Sequence, residues 1–431
     1  MSKRFAAALL GAAAALCTAA GAFGAPAAEP IAGALSPYTL PALATHVSDT
    51  PQYRAIIPAT RPLPTPDPAR VALGRQLFMD TRLSQPQGTS CASCHDPAHA
   101  FTGYNGGRDG VAAGSIKNRL GNRNPPSLTY VRYQPPLYFY QDDDAQQPTP
   151  FGGLMLDGRA ATLPDQVREP LLAKHEMNMG SPRAVAERLQ RIGYQGAFEA
   201  VYGKDVLRDP QRALQALGRS LEAYLQSDEL APFSSRFDDM LRGQGTLTVQ
   251  EMKGLAVFRD PDKGNCASCH LVSVTSSNPA RSLFTDFSYD AIGVPRNTRL
   301  PSNADPKAYD LGLCTTAKKL HWPEPEGWCG YFRTPSLRNV AARERFMHNG
   351  VFDSLRDAVR FYATRSTNPS EWYGKGREFN DIPKALRGNI NTVANPFSRR
   401  AGTTAALTDE DVDAIVAFLG TLTDRQFQQK K

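Results

Sequence analysis

Three things are scarce in this chain of 431 residues: long apolar runs, strand patterning and strong net charge. Beyond the first two dozen residues no stretch is long and apolar enough to cross a bilayer, so no membrane span is expected. Alternating apolar and polar runs are weak throughout, which leaves a mainly α fold with long loops. The formal charge of +7 gives no reason to expect nucleic acid as a partner. Histidine and cysteine are sparse too, at seven each. The length suits two or three domains, each with its own core.

The N-terminus reads as a secretory signal over residues 1–27. Lys3 and Arg4 precede an Ala-rich run from Phe5 to about Ala22, and cleavage is expected near Ala25 or Ala27. A membrane anchor is the alternative, but the run is Ala-rich rather than Leu-rich and is followed directly by Pro26 and Pro30. Cys17 is only a faint lipid-anchor candidate, because Ala14 rather than Leu stands three residues before it. The expectation is a soluble exported protein, periplasmic in a Gram-negative host.

The sparse cysteines and histidines are not scattered. Cys91-Ala92-Ser93-Cys94-His95 recurs as Cys266-Ala267-Ser268-Cys269-His270. Random order would give on the order of 0.002 such pentapeptides at this abundance. Cys-x-x-Cys-His is the attachment signature of c-type haem: each thiol forms a thioether to a vinyl group, and the adjacent His gives the iron its proximal nitrogen. The alternatives are a zinc knuckle, which wants four ligands close together, and a thioredoxin-like pair in a βαβ setting; neither pattern is visible. Two covalent haems are the expectation, and their four propionates would cancel most of the positive charge. Cys314 and Cys329 remain once Cys17 leaves with the signal. In an oxidising compartment they are expected to pair, closing a loop of roughly 15 residues worth about 3 kcal/mol in the chain-entropy model; two free thiols are the alternative.

Residues 28–66 are rich in Pro, Ala and Thr and read as an extended arm. A helix is expected to open at Asp67-Pro68, with Val71, Leu73, Leu77 and Phe78 on its apolar face. From His95 to Tyr140 the chain is dense in Gly, Asn, Arg and Pro, without helical period. One helix is expected from Ser181-Pro182 to about Tyr202 and another from Asp209 to about Ser227, the second with Leu214, Leu217, Leu221 and Leu225 on one stripe. Residues 228–247 read as the inter-domain connection. Thr248 then opens a helix through Phe258, and Pro261 to Asn265 leads into the second motif. A last helix is expected from Leu407 to Leu422, capped by Thr408. Helix, short loop and Cys-x-x-Cys-His thus occur twice, an internal duplication of a cytochrome c-like unit. The expected architecture is mainly α, with two cytochrome c-like haem domains over residues 67–230 and 245–431.

Short landmarks surround the two motifs between Leu73 and Leu422. They include Leu77-Phe78, Arg123-Asn124-Pro125-Pro126-Ser127-Leu128, Asp157-Gly158-Arg159-Ala160, Glu176-Met177-Asn178, Thr285-Asp286 and Ile292-Gly293-Val294-Pro295. Asp310-Leu311-Gly312, Arg333-Thr334-Pro335-Ser336-Leu337-Arg338-Asn339 and His348-Asn349-Gly350 follow. In this order they resemble the bacterial di-haem cytochrome c peroxidase and MauG family. The resemblance implies that the haem on His95 is peroxidatic and the haem on His270 relays an electron. It places Gln166, Pro170 and Glu176 on the distal side of the first haem. A carboxylate over an apolar haem face can take the proton from one peroxide oxygen and deliver it to the other, which is the role implied for Glu176. Gln166 would position peroxide or water. An ordinary exposed Glu in a Met-rich loop is the alternative.

The same resemblance implies a second axial ligand for the relay haem. Ordinary peroxidases place a Met fourteen residues after the His of the His-x-Gly turn, and counting from His348 lands on Tyr362. Tyr at this position is the MauG-like choice, and a phenolate favours oxidised iron. Met347 is the rival ligand, and a Tyr packed on an amphipathic helix is the plain alternative. A calcium ion between the haems is implied as well, held by the Asn124 side chain and the backbone carbonyls of Arg343 and Arg345, where relatives often have Thr and Pro.

Three positions depart from the family pattern. The inter-haem Trp is Leu156 here. The loop after the first motif has Val111 in place of the His that blocks the resting site of ordinary peroxidases, with His99 its only His. The surface Trp that MauG places before its second motif is Gly264. Tyr130, Tyr133, Tyr138, Phe139 and Tyr140 form an aromatic run able to carry holes to a partner, although such runs are more often packing. The expected function is a hydrogen-peroxide-dependent di-haem oxidoreductase of MauG type, forming high-valent iron and oxidising a protein or other donor at a distance. The alternatives are a cytochrome c peroxidase fed by a small cytochrome or cupredoxin, and a non-enzymatic di-haem electron carrier.

Overall fold

The computed structural model describes residues 63–103, 109–140 and 148–428. The expected signal and nearly all of the expected arm lie outside them. Helix α1 (Pro68–Met79) starts as its sequence demands, with the Asp67 carboxylate accepting from the Ala69 N–H and Pro68 at the first position. Helix α2 (Leu163–Leu172) was not expected; Thr162 caps it and Pro164 lies in its first turn. Helix α3 (Pro182–Arg191) stops eleven residues short of Tyr202. Gly193, at φ +89°, ends it: Gly193 N–H donates to the Gln190 carbonyl and Tyr194 N–H to that of Leu189, a Schellman stop before the separate helix Gln195–Tyr202.

Helix α4 (Pro210–Leu225) buries its leucine stripe against α1 and α2. Helix α5 (Val249–Arg259) carries the capping box of Thr248 and Glu251. Helix α6 (Leu355–Thr364) is capped by Ser354, and α7 (Asp409–Gly420) by Thr408 with Asp411 reciprocating. Residues 228–247 are not a passive connection. They hold the short helix Arg236–Leu241, whose Phe237 and Asp238 are fully buried in the second half. Among the described residues, pairing of strands is confined to two short antiparallel ladders, Tyr138–Tyr140 with Thr149–Phe151 and Tyr289–Asp290 with Phe332–Arg333.

Two apolar cores result. The first gathers Leu77, Phe78, Phe101, Phe198 and Tyr224 from α1, α4 and their neighbours, and Phe427 joins it from the far end of the chain. The second gathers Phe237, Phe258, Phe284, Phe361 and Phe418. Each Cys-x-x-Cys-His motif lies directly after the helix that anchors one of these cores, α1 or α5. Among the described residues no helix is long and apolar enough to cross a membrane. Cys314 and Cys329 are joined as a disulfide.

Candidate haem sites

Each motif is wound into a single tight turn. Ser90 caps the turn Cys91–Cys94, and Asn265, in the left-handed region, introduces Cys266–Ser268. Winding returns each His N–H to the first cysteine: His95 to the Cys91 carbonyl at 2.9 Å and His270 to that of Cys266 at 2.8 Å. Nδ1 of His95 lies 3.2 Å from the Phe101 carbonyl, and Nδ1 of His270 lies 2.9 Å from that of Phe284. With each Nδ1–H donated to a carbonyl, the Nε2 lone pair is left for a metal. Burial pushes both imidazoles down to about 4, so both are neutral at physiological pH, as an iron ligand must be.

The two alternatives for the motifs lack their chemistry. A dithiol exchange pair needs a lowered thiol pKa, whereas burial pushes Cys91, Cys94 and Cys266 up to about 12. A zinc knuckle needs converging donors. Among the described residues no three His, Cys, Asp or Glu side chains form such a group.

A cavity beside the second motif is lined by Cys269 and His270 and runs past Leu156 to Gln166. Leu355, Ala358, Val359 and Tyr362 line it from α6 as a single stripe at helical spacing. Tyr362 therefore shares a cavity with His270, its ring stacked on Phe397 at 5.4 Å. Burial holds its phenol above the ordinary range, so it stays protonated unless a strong Lewis acid binds its oxygen and displaces the proton. Met347 lines the same cavity, as does a stacked pair absent from the sequence reading: Phe332 and His348, 3.7 Å between centroids. No spacing signal links those two residues.

Gln166, expected on the distal side of the first haem, rises from α2 and lines the cavity of the second motif, with Nε2 3.7 Å from the Met155 sulfur and a buried Oε1 that has no partner. A buried acceptor of this kind calls for a donor such as water or peroxide. The turn after α2 closes through Met177 N–H to the Pro170 carbonyl at 3.0 Å, and Pro170 thereby sets the place of Glu176. The Glu176 carboxyl is near enough to the first motif for its charge to bear on the Cys94 thiol. Burial raises its pKa, against the nearby charges of His175 and Arg159. So α2, which the periodicity did not reveal, carries two of the three expected distal residues. The Thr162 cap and Pro164 were its legible signal.

A model of the di-haem cytochrome c peroxidase family matches residues 68–246. The methylamine utilization protein MauG of Paracoccus denitrificans is 38% identical over 367 residues, covering 84% of this chain and 90% of that protein. The chain belongs to the di-haem cytochrome c peroxidase and MauG family. The crystal structure of the diheme peroxidase BthA from Burkholderia thailandensis is 54% identical, with a TM-score of 0.83 over 86% of this chain and 89% of that one. A cytochrome-c peroxidase of a Pseudomonas species is 29% identical and covers 69% of this chain and 73% of its own. This is a peroxidase-type enzyme of mainly α fold, from a family whose members carry two haems.

Against that family pattern, four places stand out. Leu156 lines the cavity where the inter-haem Trp is expected. Val111 is buried, with neighbouring Gly110 pressed on Gly350, and His99 is paired to Asp96 at 2.9 Å. A Cβ on Gly264 would lie 2.7 Å from the Val257 carbonyl and 3.2 Å from the Cys266 sulfur, so no Trp fits there. At the expected calcium cradle the contacts are internal to the chain. Asn124 Nδ2 donates to the Arg345 carbonyl at 2.9 Å, and the Arg343 guanidinium donates to the same carbonyl. Of the aromatic run, Tyr130, Tyr133 and Tyr138 pack with Leu271, Leu283 and Phe287 beside the second motif rather than the first, and exposed Phe139 lies edge-on to Trp322 at 4.6 Å.

Proposed function

We propose that this peroxidase works in the MauG manner, using hydrogen peroxide to draw electrons at a distance from a protein or another donor. Residues 67–230 would hold the peroxidatic haem through Cys91, Cys94 and His95, and residues 245–431 the relay haem through Cys266, Cys269 and His270. The haems, when bound, would supply the redox chemistry by which the oxidising power of peroxide reaches the donor. The chain's own side chains do the rest. Gln166 Oε1 accepts a hydrogen bond from peroxide or water, and Glu176, raised by burial, takes a proton from one peroxide oxygen and returns it to the other. Pro170 fixes the turn that presents Glu176.

What carries the MauG reading is Tyr362, on a helical stripe that faces the cavity of His270. As a phenolate it would hold the second haem's iron and favour its oxidised forms. An ordinary cytochrome c peroxidase, drawing electrons from a small cytochrome or cupredoxin, is the second reading. The observation in its favour is Met347, which lines the same cavity. The near-infrared absorption of the ferric holoenzyme tests the two. No Met–sulfur band is expected, and Tyr362→Phe is expected to change the second haem's low-spin signal. A Met–sulfur band unaffected by Tyr362→Phe would decide for the ordinary peroxidase. Export to the periplasm is supported by the basic and apolar leader and by the Cys314–Cys329 disulfide, a bond that persists in oxidising compartments.

A further inference from the structure

Arg343 and Arg345 stand where the family's calcium would draw two carbonyl ligands. We infer that the guanidinium of Arg343 is itself the cation tying these segments together, and that this chain holds no calcium between its haems. Arg343 Nε lies 3.2 Å from the Arg345 carbonyl oxygen, and Nη2 lies 2.9 Å from that of Pro125. Asn124, 3% exposed, adds Nδ2 contacts to the carbonyls of Arg345 at 2.9 Å and Met347 at 3.2 Å. Its backbone N–H donates to the His348 carbonyl at 2.8 Å. The segment 124–125 is thus bound to the segment 343–348 by donors that belong to the chain.

The tie lies between the two haem sites. On one side, the carbonyl of Pro126 faces the His95 ring, and the Arg343 charge helps to lower the pKa of that ring. On the other, Arg343, Met347 and His348 line the cavity that contains His270. Calcium takes six to eight oxygen ligands. Here the Arg345 carbonyl already accepts from two donors, and a divalent ion would meet the repulsion of the adjacent Arg343 guanidinium. A guanidinium stays charged at any working pH and cannot be removed by a chelator. Its planar fork suits two carbonyls, whereas the Thr found in relatives leaves that space to a metal. Arg343 is a positioning residue, and the inference rests on membership of the di-haem family, not on the MauG-type reading.

The test uses dialysed holoenzyme, with calcium per chain measured by plasma mass spectrometry and the ferric EPR spectrum taken with and without excess EGTA. Wild type is expected to hold far less than one calcium per chain and to show an unchanged spectrum. Arg343→Thr is expected to take up about one calcium per chain when calcium is supplied, and its spectrum to become sensitive to EGTA. Arg343→Lys, which keeps the charge, is expected to remain metal-free. One calcium per chain in wild type, whose removal alters the haem signals, would overturn the inference whether or not the Thr variant folds. So would an Arg343→Thr protein that binds no calcium and keeps the wild-type spectrum.

Discussion

Gly254 and Ala414 bring α5 and α7 into backbone contact: a Cβ on Gly254 would lie 1.9 Å from the Ala414 carbonyl oxygen. Gly74 and Ser220 repeat the relationship between α1 and α4, again at 1.9 Å. Four residues beyond each glycine stands a phenylalanine, and four beyond each carbonyl an aromatic. Phe78 meets Tyr224 at 5.4 Å and 62°, and Phe258 meets Phe418 at 5.4 Å and 63°. The duplication read from the two haem motifs therefore extends to the helix crossing that precedes each of them. Gly74→Ala and Gly254→Ala must each push a helix off its partner. Each is expected to destabilise its half by about 1–3 kcal/mol, measured by calorimetry of the holoenzyme.

A second prediction concerns Asp238 and Arg338. Both side chains are fully buried, with Nη1 2.7 Å from Oδ1, and Arg338 also donates to the Ser282 and Pro279 carbonyls. Removing the carboxylate strands a buried cation. Asp238→Ala is expected to cost about 3–5 kcal/mol, read from the denaturation midpoint. The companion Arg338→Met, which removes the other charge, is expected to be comparably damaging alone and to recover part of the loss in the double variant.

Acid should weaken the molecule through Asp310. Burial pushes its carboxyl up, but the Arg123 charge and hydrogen bonds, at 2.5 and 2.7 Å, outweigh burial and hold it at about 2. The unfolded value is about 4, so the folded state binds fewer protons in that window. The stability is therefore present above about pH 4 and lost as pH falls through about 2, with about 2 kcal/mol at stake. Asp310→Asn is expected to lower stability at pH 7 and to flatten this part of the acid-unfolding profile.

Glu176→Gln is expected to slow the reaction with peroxide by about 10²–10⁴-fold while leaving thermal stability nearly unchanged. Because burial raises the Glu176 carboxyl, the wild-type rate should decline with falling pH at a value above the ordinary carboxylate range. The Gln variant should lose that limb of the pH profile. Stopped-flow mixing across pH checks both, and a Gln variant as fast as wild type would remove Glu176 from the chemistry.

What was legible in the sequence was whatever local chemistry fixes. Asp67-Pro68, Thr248 with Glu251, and Thr408 with Asp411 mark helix starts because caps are made by near neighbours. Cys91 to His95 and Cys266 to His270 declare their chemistry in five residues. The break at Gly193 was missed because apolar residues continue in period on both sides of it. The burial of Phe237 and Asp238 was missed because a polar, short segment resembles a linker until Arg338, a hundred residues away, supplies the partner. The place of the Arg343 guanidinium was illegible for the same reason: it depends on the Pro125 carbonyl, not on its sequence neighbours.

The central claim is most directly tested by EPR and Mössbauer spectra of the ferric holoenzyme, before and after one equivalent of hydrogen peroxide. One high-spin and one low-spin haem, both driven above the ferric state without prior reduction, is the predicted result. Two low-spin ferric haems that ignore peroxide would contradict the account.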